Sequence, residues 1–245
     1  HTNAYLVGDP EGAFVLVDPA IRMREDMEAL ATAVERHNGQ LEAVVFTHSH
    51  SDHLADMSLL REAFDCPIWG SHHTASSVKC DRILNDGDIL ELGAQRWEVL
   101  ITPGHHPGHV CLLSEAGLVA GDMLAGIGTI LIPPGTGDMN EYLAQLERLQ
   151  ALRPHLVFPS HGPVVAMPNR LIQHYIDHRR GRHQKVLEAV RGGLNRLIDI
   201  AKQAYQDTPD AHPGLAVDQT LSHLLALKAD GAVVETSDGW TNVVE

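Results

Sequence analysis

Four possible metal ligands occupy a stretch of only six residues. His48, His50, Asp52 and His53 follow a short apolar run directly and precede an amphipathic helical pattern. In an extended segment, side chains two residues apart point to the same side, so His48 and His50 can reach one ion. Asp52 and His53 lie where the chain turns towards the helix, where they can reach a second ion. Imidazole and carboxylate ligands suit zinc, and they suit iron or manganese as well.

Three further possible ligands lie downstream, each after a short apolar segment and beside Gly or Pro. They are His105, Asp122 and His161. We predict that they complete a site for two ions, because loops at such positions can bring a side chain to a preformed site. The first ion is assigned to His48, His50 and His105, and the second to Asp52, His53 and His161. Asp122 is predicted to bridge the two ions, because one carboxylate has two oxygens, and a water or hydroxide is predicted to bridge them too.

Such a pair of ions predicts hydrolytic chemistry. Two cations roughly 3.5–4 Å apart lower the pKa of a shared water towards ~7 and polarise a carbonyl or phosphoryl oxygen. No Ser or Cys nucleophile is then needed. Asp52 and Asp122 are the predicted catalytic carboxylates, because as metal ligands they would orient the nucleophile. The cofactor prediction is two zinc ions, with iron or manganese as alternatives.

The chain holds 17 histidines, so some pairs arise by chance. Read alone, the first cluster could be a polar loop. His109 competes with His105 as a ligand; we choose His105 because it directly follows Pro103-Gly104, and interpret His109 as a residue that holds a ligand in place. A surface or structural role is predicted for His37, His72, His73 and His223.

The order of apolar patterns predicts an α+β fold. Short apolar runs separated by turn residues predict hairpins at 5–17 and 110–120, and residues 83–101 are predicted to form meandering β structure. Buried strands are predicted at 41–46 and 156–158, and helices start near Leu54 and near Tyr142. Two packed sheets covered by helices fit this order better than a doubly wound parallel sheet.

The pattern changes after residue 165. A long helical stripe runs to the Gly192-Gly193 break, a further helix covers 221–227, and a hairpin is predicted from strands at 232–236 and 240–244. Helices followed by a two-stranded hairpin predict a small winged-helix-like domain. The predicted domains are therefore 1–165, which carries the metal ligands, and 166–245.

Composition narrows the possible partners and the location. The net charge is −14, which disfavours broad binding to a phosphate backbone, but residues 170–202 carry eight basic and three acidic residues. We expect no membrane partner, since no apolar stretch approaches 18 residues. Three cysteines without metal spacing favour reduced thiols and a cytoplasmic location. Because the chain begins at His1 without a Met, we expect that a segment precedes it.

The ligand motifs resemble the metallo-β-lactamase superfamily. The resemblance rests on segments 48–53, 102–109, 121–122 and 160–163, together with early strands near residues 2–7 and 17–19. It implies a four-layer αβ/βα sandwich with two metals in a cleft at one edge of the sheets. It also supports the seven assigned ligands.

The C-terminal residues resemble the β-lactamase-like protein 2 branch, whose members carry a winged-helix-like domain. Glyoxalase II shares the ligand set but has a different helical tail. True β-lactamases usually replace a ligand in the first motif, whereas Asp52 and His53 are both present here. Tyr175, Arg179 and Arg182 are the candidate substrate-binding residues, although a solvated helix face is an alternative for the arginines.

Three functions remain open. The preferred one is hydrolysis of a thioester or related acyl ester, with a small anionic acyl compound as substrate. The second is endonucleolytic cleavage of single-stranded RNA, which the branch resemblance permits. The third is a winged-helix nucleic-acid-binding protein with a vestigial metal site, and the complete ligand set argues against it.

Overall fold

The computed structural model describes residues 1–243, so the last two positions, including Val244 of the predicted final strand, lie outside the described residues. The chain divides into two compact units. The first contains His1–Thr102, Gly108–Ile130 and Arg153–Pro168, and the second contains Pro103–Pro107, Leu131–Leu152 and Asn169–Glu245. The predicted domain boundary after residue 165 stays a prediction.

The first unit carries two β-sheets and short helices. In chain order its elements are β1 (Tyr5–Gly8), β2 (Ala13–Val17), α1 (Arg24–Glu35), β3 (Gln40–Val45), α2 (Met57–Ala63), β4 (Ile68–Gly70), α3 (His72–Ala75), β5 (Arg82–Ile83), β6 (Ile89–Leu92), β7 (Gln95–Ile101), β8 (Val110–Ser114), β9 (Gly117–Gly121) and β10 (Val157–Pro159). The predicted hairpins and buried strands are confirmed. The prediction that the second helix starts near Leu54 is wrong. Asp56 caps that helix by accepting from the backbone N–H groups of Ser58 and Leu59, so the helix begins at Met57.

Both sheets of the first unit are mixed. Within residues 1–243, one sheet has the order β1-β2-β3-β4-β5 and the other the order β10-β9-β8-β7-β6. Strands β2 to β5 run parallel and β1 is antiparallel to β2. In the second sheet β9 and β10 are parallel, whereas β6 to β9 form an antiparallel meander. A doubly wound parallel sheet is thereby excluded, as the sequence predicts.

Alternation along β2 produces two apolar layers. Val15 and Val17 belong to a core that they share with β6 to β9, whereas Phe14 and Leu16 pack with α1 and α2 on the other face. Successive side chains of a strand point to opposite faces, and both faces of β2 are covered, so all four side chains are buried. The first sheet therefore lies between the second sheet and a layer of helices, which is half of the predicted sandwich.

The second unit is mainly helical. It contains α4 (Met139–Leu152), most of α5 (Pro168–Arg191), α6 (Leu197–Ala204), α7 (Pro213–Ala229) and the hairpin of β11 (Val233–Thr236) and β12 (Gly239–Asn242). Helices α5, α6 and α7 share a buried core with the hairpin, and Trp240 and Val233 contribute to it. Helices followed by a two-stranded hairpin are confirmed, whereas the winged-helix-like interpretation stays a prediction. Among residues 1–243, none of the helices combines the length and apolar character needed to cross a bilayer.

Candidate metal centre

The predicted ligands of the first unit follow the carboxyl ends of its strands. His48 comes three residues after β3, Asp122 directly after β9, and His161 two residues after β10. Asp18 follows β2 in the same way. Because β2 is parallel to β3 and β9 is parallel to β10, the carboxyl ends within each pair meet at one edge of their sheet. Two loops from each sheet thus carry the polar side chains of the site.

Two groups of these side chains have the geometry of a metal site. In each group one ligand atom per residue lies within 4.8 Å of the others; the groups are His48 with His53 and Asp122, and Asp52 with His53 and His161. The second group is the set predicted for the second ion. His48 belongs to the set predicted for the first ion, so the other group lies where the two predicted sites meet.

Distances around Asp122 fit a shared ligand. Its Oδ2 lies 3.5 Å from His53 Nε2, and its Oδ1 lies 3.4 Å from His161 Nε2. Asp52 Oδ2 lies 3.5 Å from His161 Nε2 and 3.8 Å from His53 Nε2. Metal–ligand bonds of about 2.0–2.1 Å in a tetrahedral site separate two ligand atoms by roughly 3.4 Å. Nitrogen and oxygen atoms are therefore spaced here as ligands of one cation are.

Asp18 organises this edge, and it was not among the predicted site residues. Its carboxylate is 1% exposed and accepts from the Thr47 backbone N–H at 2.8 Å, from the Thr47 hydroxyl at 2.6 Å and from His53 Nδ1 at 2.8 Å. The residue itself has a φ of 47°, an uncommon value that Asp tolerates better than most residues. Its sequence signal is weak: an Asp between an apolar strand and Pro19.

Hydrogen bonds that Asp18 accepts determine which ring nitrogen His48 and His53 can offer to a metal ion. An ionised carboxylate only accepts, so the Thr47 hydroxyl donates to Asp18 and its oxygen accepts from His48 Nδ1 at 3.0 Å. His53 donates its Nδ1 proton to Asp18 directly. Both imidazoles therefore present the Nε2 lone pair, and His48 Nε2 lies 3.0 Å from His50 Nδ1. Fixing a ligand's tautomer through its second nitrogen is the usual design of histidine metal sites.

The residues present fit a cation. His53 Nε2 is buried, has no hydrogen-bond partner among the described residues, and faces the carboxylates of Asp52 and Asp122. Burial lowers the pKa of His53, but the neighbouring carboxylates of Asp122 and Asp18 outweigh it and raise that pKa to about 10. A lone pair directed at carboxylate oxygens repels them, so the pocket favours a positive charge, which a metal ion would supply.

Two other candidate ligands, His50 and His161, have pKa values shifted in opposite directions. The hydrogen bond with Asp122 raises the pKa of His161, whereas burial lowers the pKa of His50. His161 Nδ1 lies 3.1 Å from the carbonyl oxygen of His1, so this ring too presents Nε2 to the site. Burial therefore favours the neutral, metal-binding form of His50, whereas the Asp122 carboxylate favours the protonated form of His161.

His109 supports Asp122. Its Nε2 accepts from the backbone N–H of Asp122 at 2.9 Å, and its Nδ1 lies 2.8 Å from the Thr102 hydroxyl. Gly121 is required beside it, because a Cβ there would lie 2.4 Å from His109 Nε2. Both ring nitrogens are thus engaged within the fold, which supports the choice of His105 as the ligand.

His105 lies in the 103–107 segment of the second unit. Its Nδ1 lies 2.6 Å from the Leu131 carbonyl oxygen, so it donates there and Nε2 is the nitrogen that can bind a metal. Gly104 holds the segment against α4: its oxygen accepts from Asp138 N–H at 2.7 Å, and a Cβ on it would lie 2.4 Å from the Tyr142 backbone. The ring orientation of His105 is therefore set by backbone contacts within its own unit.

The candidate substrate residues all lie on α5 and are buried. Tyr175 is 3% exposed and Arg179 is 2% exposed. Arg182 donates to the Ala204 carbonyl, to Asp207 and to Thr208, and its guanidinium lies 3.9 Å from the centre of the Tyr205 ring. The alternative of a solvated helix face is wrong for both arginines. Their role in substrate binding stays a prediction.

The four histidines predicted to be surface or structural divide into two kinds. His37, His72 and His73 are exposed. His223 is fully buried, with its Nδ1 3.3 Å from His183 Nδ1. Burial holds the pKa of His223 well below its usual range, so the ring is neutral.

Comparison with known proteins gives a family match. The model of the "Metallo-beta-lactamase superfamily" matches residues 1–161. A Drosophila melanogaster "Beta-lactamase-like protein 2 homolog" is 27% identical over 247 residues, covering 94% of this chain and 83% of the relative. An Aspergillus fumigatus "Atrochrysone carboxyl ACP thioesterase" is 26% identical over 78% of this chain and 60% of the relative. A Yersinia pestis "Hydroxyacylglutathione hydrolase" is 33% identical over 60% of this chain and 56% of the relative.

Solved structures extend the similarity to nearly the whole chain. A beta-lactamase domain protein from Burkholderia ambifaria matches with a TM-score of 0.81 and 22% identity, covering 99% of this chain and 87% of that one. TTHA1623, solved in a di-iron-bound form, matches with a TM-score of 0.56 and 30% identity, covering 69% of this chain and 92% of that one. The first similarity concerns the fold alone, and the second comes from a protein that binds two irons.

Proposed function

The chain belongs to the metallo-beta-lactamase superfamily, a group of hydrolases, and from that membership we propose that it hydrolyses a thioester or related acyl ester at a two-metal site. The observation that carries the proposal is the position of Asp122. Its two carboxylate oxygens face the Nε2 atoms of His53 and His161, and it shares a ligand group with His48. A carboxylate placed in this way can serve two cations.

Each ion has its own proposed ligands. His48, His50 and His105 would hold the first ion, and Asp52, His53 and His161 the second, with Asp122 shared. The assignment is supported by the hydrogen bonds of three Nδ1 atoms, which leave Nε2 as the metal-binding nitrogen. Their partners are Thr47 for His48, Asp18 for His53 and Leu131 for His105. When bound, two such cations would acidify a shared water to hydroxide and polarise the substrate carbonyl.

The chain's own residues orient and tune the site. Asp52 and Asp122 are the proposed catalytic carboxylates, because both approach the point where the ligand nitrogens converge. Asp52 is exposed, so it lies on the open side of the site, whereas Asp122 is buried. The metals themselves are proposed to be zinc, with iron an alternative that the di-iron relative supports.

The proposed substrate is a thioester. In its hydrolysis water adds to the carbonyl carbon, the carbon–sulfur bond breaks, and an acid and a thiol leave. Relatives named a carboxyl ACP thioesterase and a hydroxyacylglutathione hydrolase support this class. Tyr175, Arg179 and Arg182 stay predictions as contacts for an anionic acyl group.

A substrate panel with matched variants tests the proposal. Purified protein loaded with zinc is assayed on glutathione, coenzyme A and carrier-protein thioesters and on single-stranded RNA, each with and without chelator. We expect chelator-sensitive thioester turnover that falls ~100-fold or more in Asp122→Ala, whereas Asp210→Ala, which loses an exposed carboxylate of the second unit, retains it. RNA cleavage that Asp122→Ala abolishes, without thioester turnover, would instead assign the second function. Nucleic-acid binding without any turnover would assign the third.

A further inference from the structure

We propose that Gln219 is a positioning residue for the metal ligand His105, acting through the peptide group that joins Leu131 to Ile132. The inference rests on the proposed function only in taking His105 as a ligand. All of the residues that carry it belong to the second unit. It assigns a role in the metal site to helix α7, from which no ligand comes.

One peptide group connects the two side chains. The Leu131 carbonyl oxygen accepts from His105 Nδ1 at 2.6 Å, and the Ile132 N–H of the same peptide group donates to Gln219 Oε1 at 3.2 Å. A peptide group is planar and rigid, so turning its N–H away from Gln219 also turns its carbonyl away from His105. The Leu131 side chain is 41% exposed, so its packing contributes little to holding this peptide.

Gln219 grips the following carbonyl as well. Its Nε2 donates to the Ile132 oxygen at 2.9 Å, and the Ser222 hydroxyl donates to the same oxygen at 2.6 Å. One amide side chain thus pairs with both backbone groups of Ile132, as a neighbouring strand would. Ile132 is fully buried and Gln219 is 5% exposed, so water does not compete for these bonds.

Arg179 fixes the orientation of the Gln219 amide. Its guanidinium donates to Gln219 Oε1 at 3.0 Å, so a flipped amide would direct an N–H group at a cation. Arg179 lies on α5 and Gln219 on α7, and both are buried. Two helices therefore set the position of one backbone carbonyl, and that carbonyl sets the tautomer and ring plane of His105.

The consequence is a change in metal affinity. When His105 keeps its proton on Nδ1, its Nε2 lone pair is available to the metal; without a firm acceptor at Leu131, both tautomers and several ring orientations are populated. Loss of a partner that orients a ligand in this way typically weakens metal binding ~10- to 100-fold. We expect that weakening for one ion only, the one that His105 binds.

Zinc affinities measured by chelator competition test the proposal. The variants are Gln219→Leu, His105→Ala and, as a matched control, Thr220→Val. Thr220 is the adjacent residue of α7 and is fully buried. Within residues 1–243 its hydroxyl donates to the Ala216 carbonyl of the same helix, at 2.7 Å. We expect Gln219→Leu to weaken the same ion as His105→Ala, by ~10- to 100-fold, and Thr220→Val to leave both affinities within about threefold.

A second measurement detects the tautomer itself. Long-range ¹⁵N correlation spectra of the metal-free protein are expected to show neutral His105 with its proton on Nδ1 in the wild type and as a mixture of the Nδ1–H and Nε2–H tautomers in Gln219→Leu. If Gln219→Leu does not fold, Gln219→Asn replaces it, because the shorter side chain stays polar but cannot reach both groups of Ile132. Unchanged affinities for both ions in the variant that folds would overturn the proposal.

These readouts are independent of the substrate. A protein that binds two ions, loses one in Gln219→Leu and hydrolyses no thioester would refute the proposed function and leave the positioning role intact. A protein that hydrolyses thioesters and whose affinities for both metal ions are unchanged in Gln219→Leu would support the proposed function and refute the positioning role.

Discussion

The Asp18 carboxylate accepts a hydrogen bond from His53 Nδ1 at 2.8 Å, and both side chains are almost wholly buried. This pair determines the ligand atom that His53 presents, because a proton on Nδ1 leaves the lone pair on Nε2. The other carboxylate oxygen accepts from the Thr47 backbone, so the orientation of Asp18 does not depend on His53 alone. Asp18 thus links the end of β2 to the loop that follows β3.

Replacing Asp18 with Asn is expected to reverse this tautomer. The Asn oxygen must face the Thr47 N–H, which directs its NH₂ group at His53 Nδ1 and moves the imidazole proton to Nε2. We expect affinity for the second ion to fall ~10- to 100-fold, measured by chelator competition. Asp56→Asn is the control, because Asn also caps a helix. Unchanged affinity in Asp18→Asn would contradict the tautomer argument.

The number of ions bound by variants of His105 and His109 distinguishes the roles of these two residues. We expect His105→Ala to bind one ion tightly and His109→Ala to retain two. His109→Ala leaves the buried Asp122 N–H without its acceptor, and a buried unsatisfied donor lowers the free energy of unfolding by about 1–3 kcal/mol. Metal analysis after gel filtration, together with urea unfolding of each variant, checks both statements. Loss of one ion in His109→Ala alone would reverse the assignment.

Side-chain type and spacing are sufficient to pick out candidate ligands, but not the residues that orient them. His48, His50, Asp52 and His53 could be found because four metal-binding types occur together. Asp18 could not be found in this way, because its partner His53 lies 35 residues further along the chain and no periodicity links them. Gln219 is harder still, since it reaches His105 only through backbone groups of Leu131 and Ile132.

In the fold, too, some elements could be predicted from the sequence and others could not. Short apolar runs predicted β2 and β3, whose side chains pack into two different cores. It did not predict α6, whose eight residues are too short for a firm helical period. The start of α2 depended on one side-chain cap, that of Asp56, rather than on the apolar pattern. Long-range hydrogen bonds and local caps are therefore what sequence periodicity leaves undetermined.

Removal of metal is expected to destabilise the first unit. Asp18, Asp52 and Asp122 place negative charge around the ligand nitrogens, and a ligand that binds only the folded state stabilises it by mass action. We expect the melting temperature to fall on dialysis against chelator and to recover with zinc. In Asp122→Ala the response to chelator is expected to be smaller. An equal response in that variant would contradict the role of Asp122 as a shared ligand.

Acid is expected to destabilise the second unit through His178. Burial, aided by the positive charges of Arg179 and Arg182, lowers the pKa of His178 to about 4 from an ordinary 6.5. Above pH 6.5 both folded and unfolded chains hold it neutral. Between pH 6.5 and pH 4 the unfolded chain binds a proton that the folded chain does not. The free energy of unfolding therefore decreases as the pH is lowered through that window. Urea unfolding of His178→Gln at pH 7.5 and 5.0 is expected to show a smaller loss than the wild type; an equal loss would refute this.

The variant Arg182→Met distinguishes a structural role of Arg182 from a role in substrate binding. Its guanidinium holds Ala204, Asp207 and Thr208 against α5, so Arg182→Met is expected to lower the free energy of unfolding by about 2 kcal/mol. The Lys185–Asp207 ion pair, at 2.6 Å, remains in that variant and limits the loss. If Arg182 acts only in the fold, KM for an anionic thioester stays within about twofold of the wild type, because the side chain it loses faces its own unit. A KM raised tenfold or more at unchanged stability would instead establish Arg182 as a substrate contact, which unfolding curves and steady-state kinetics on the same preparation distinguish.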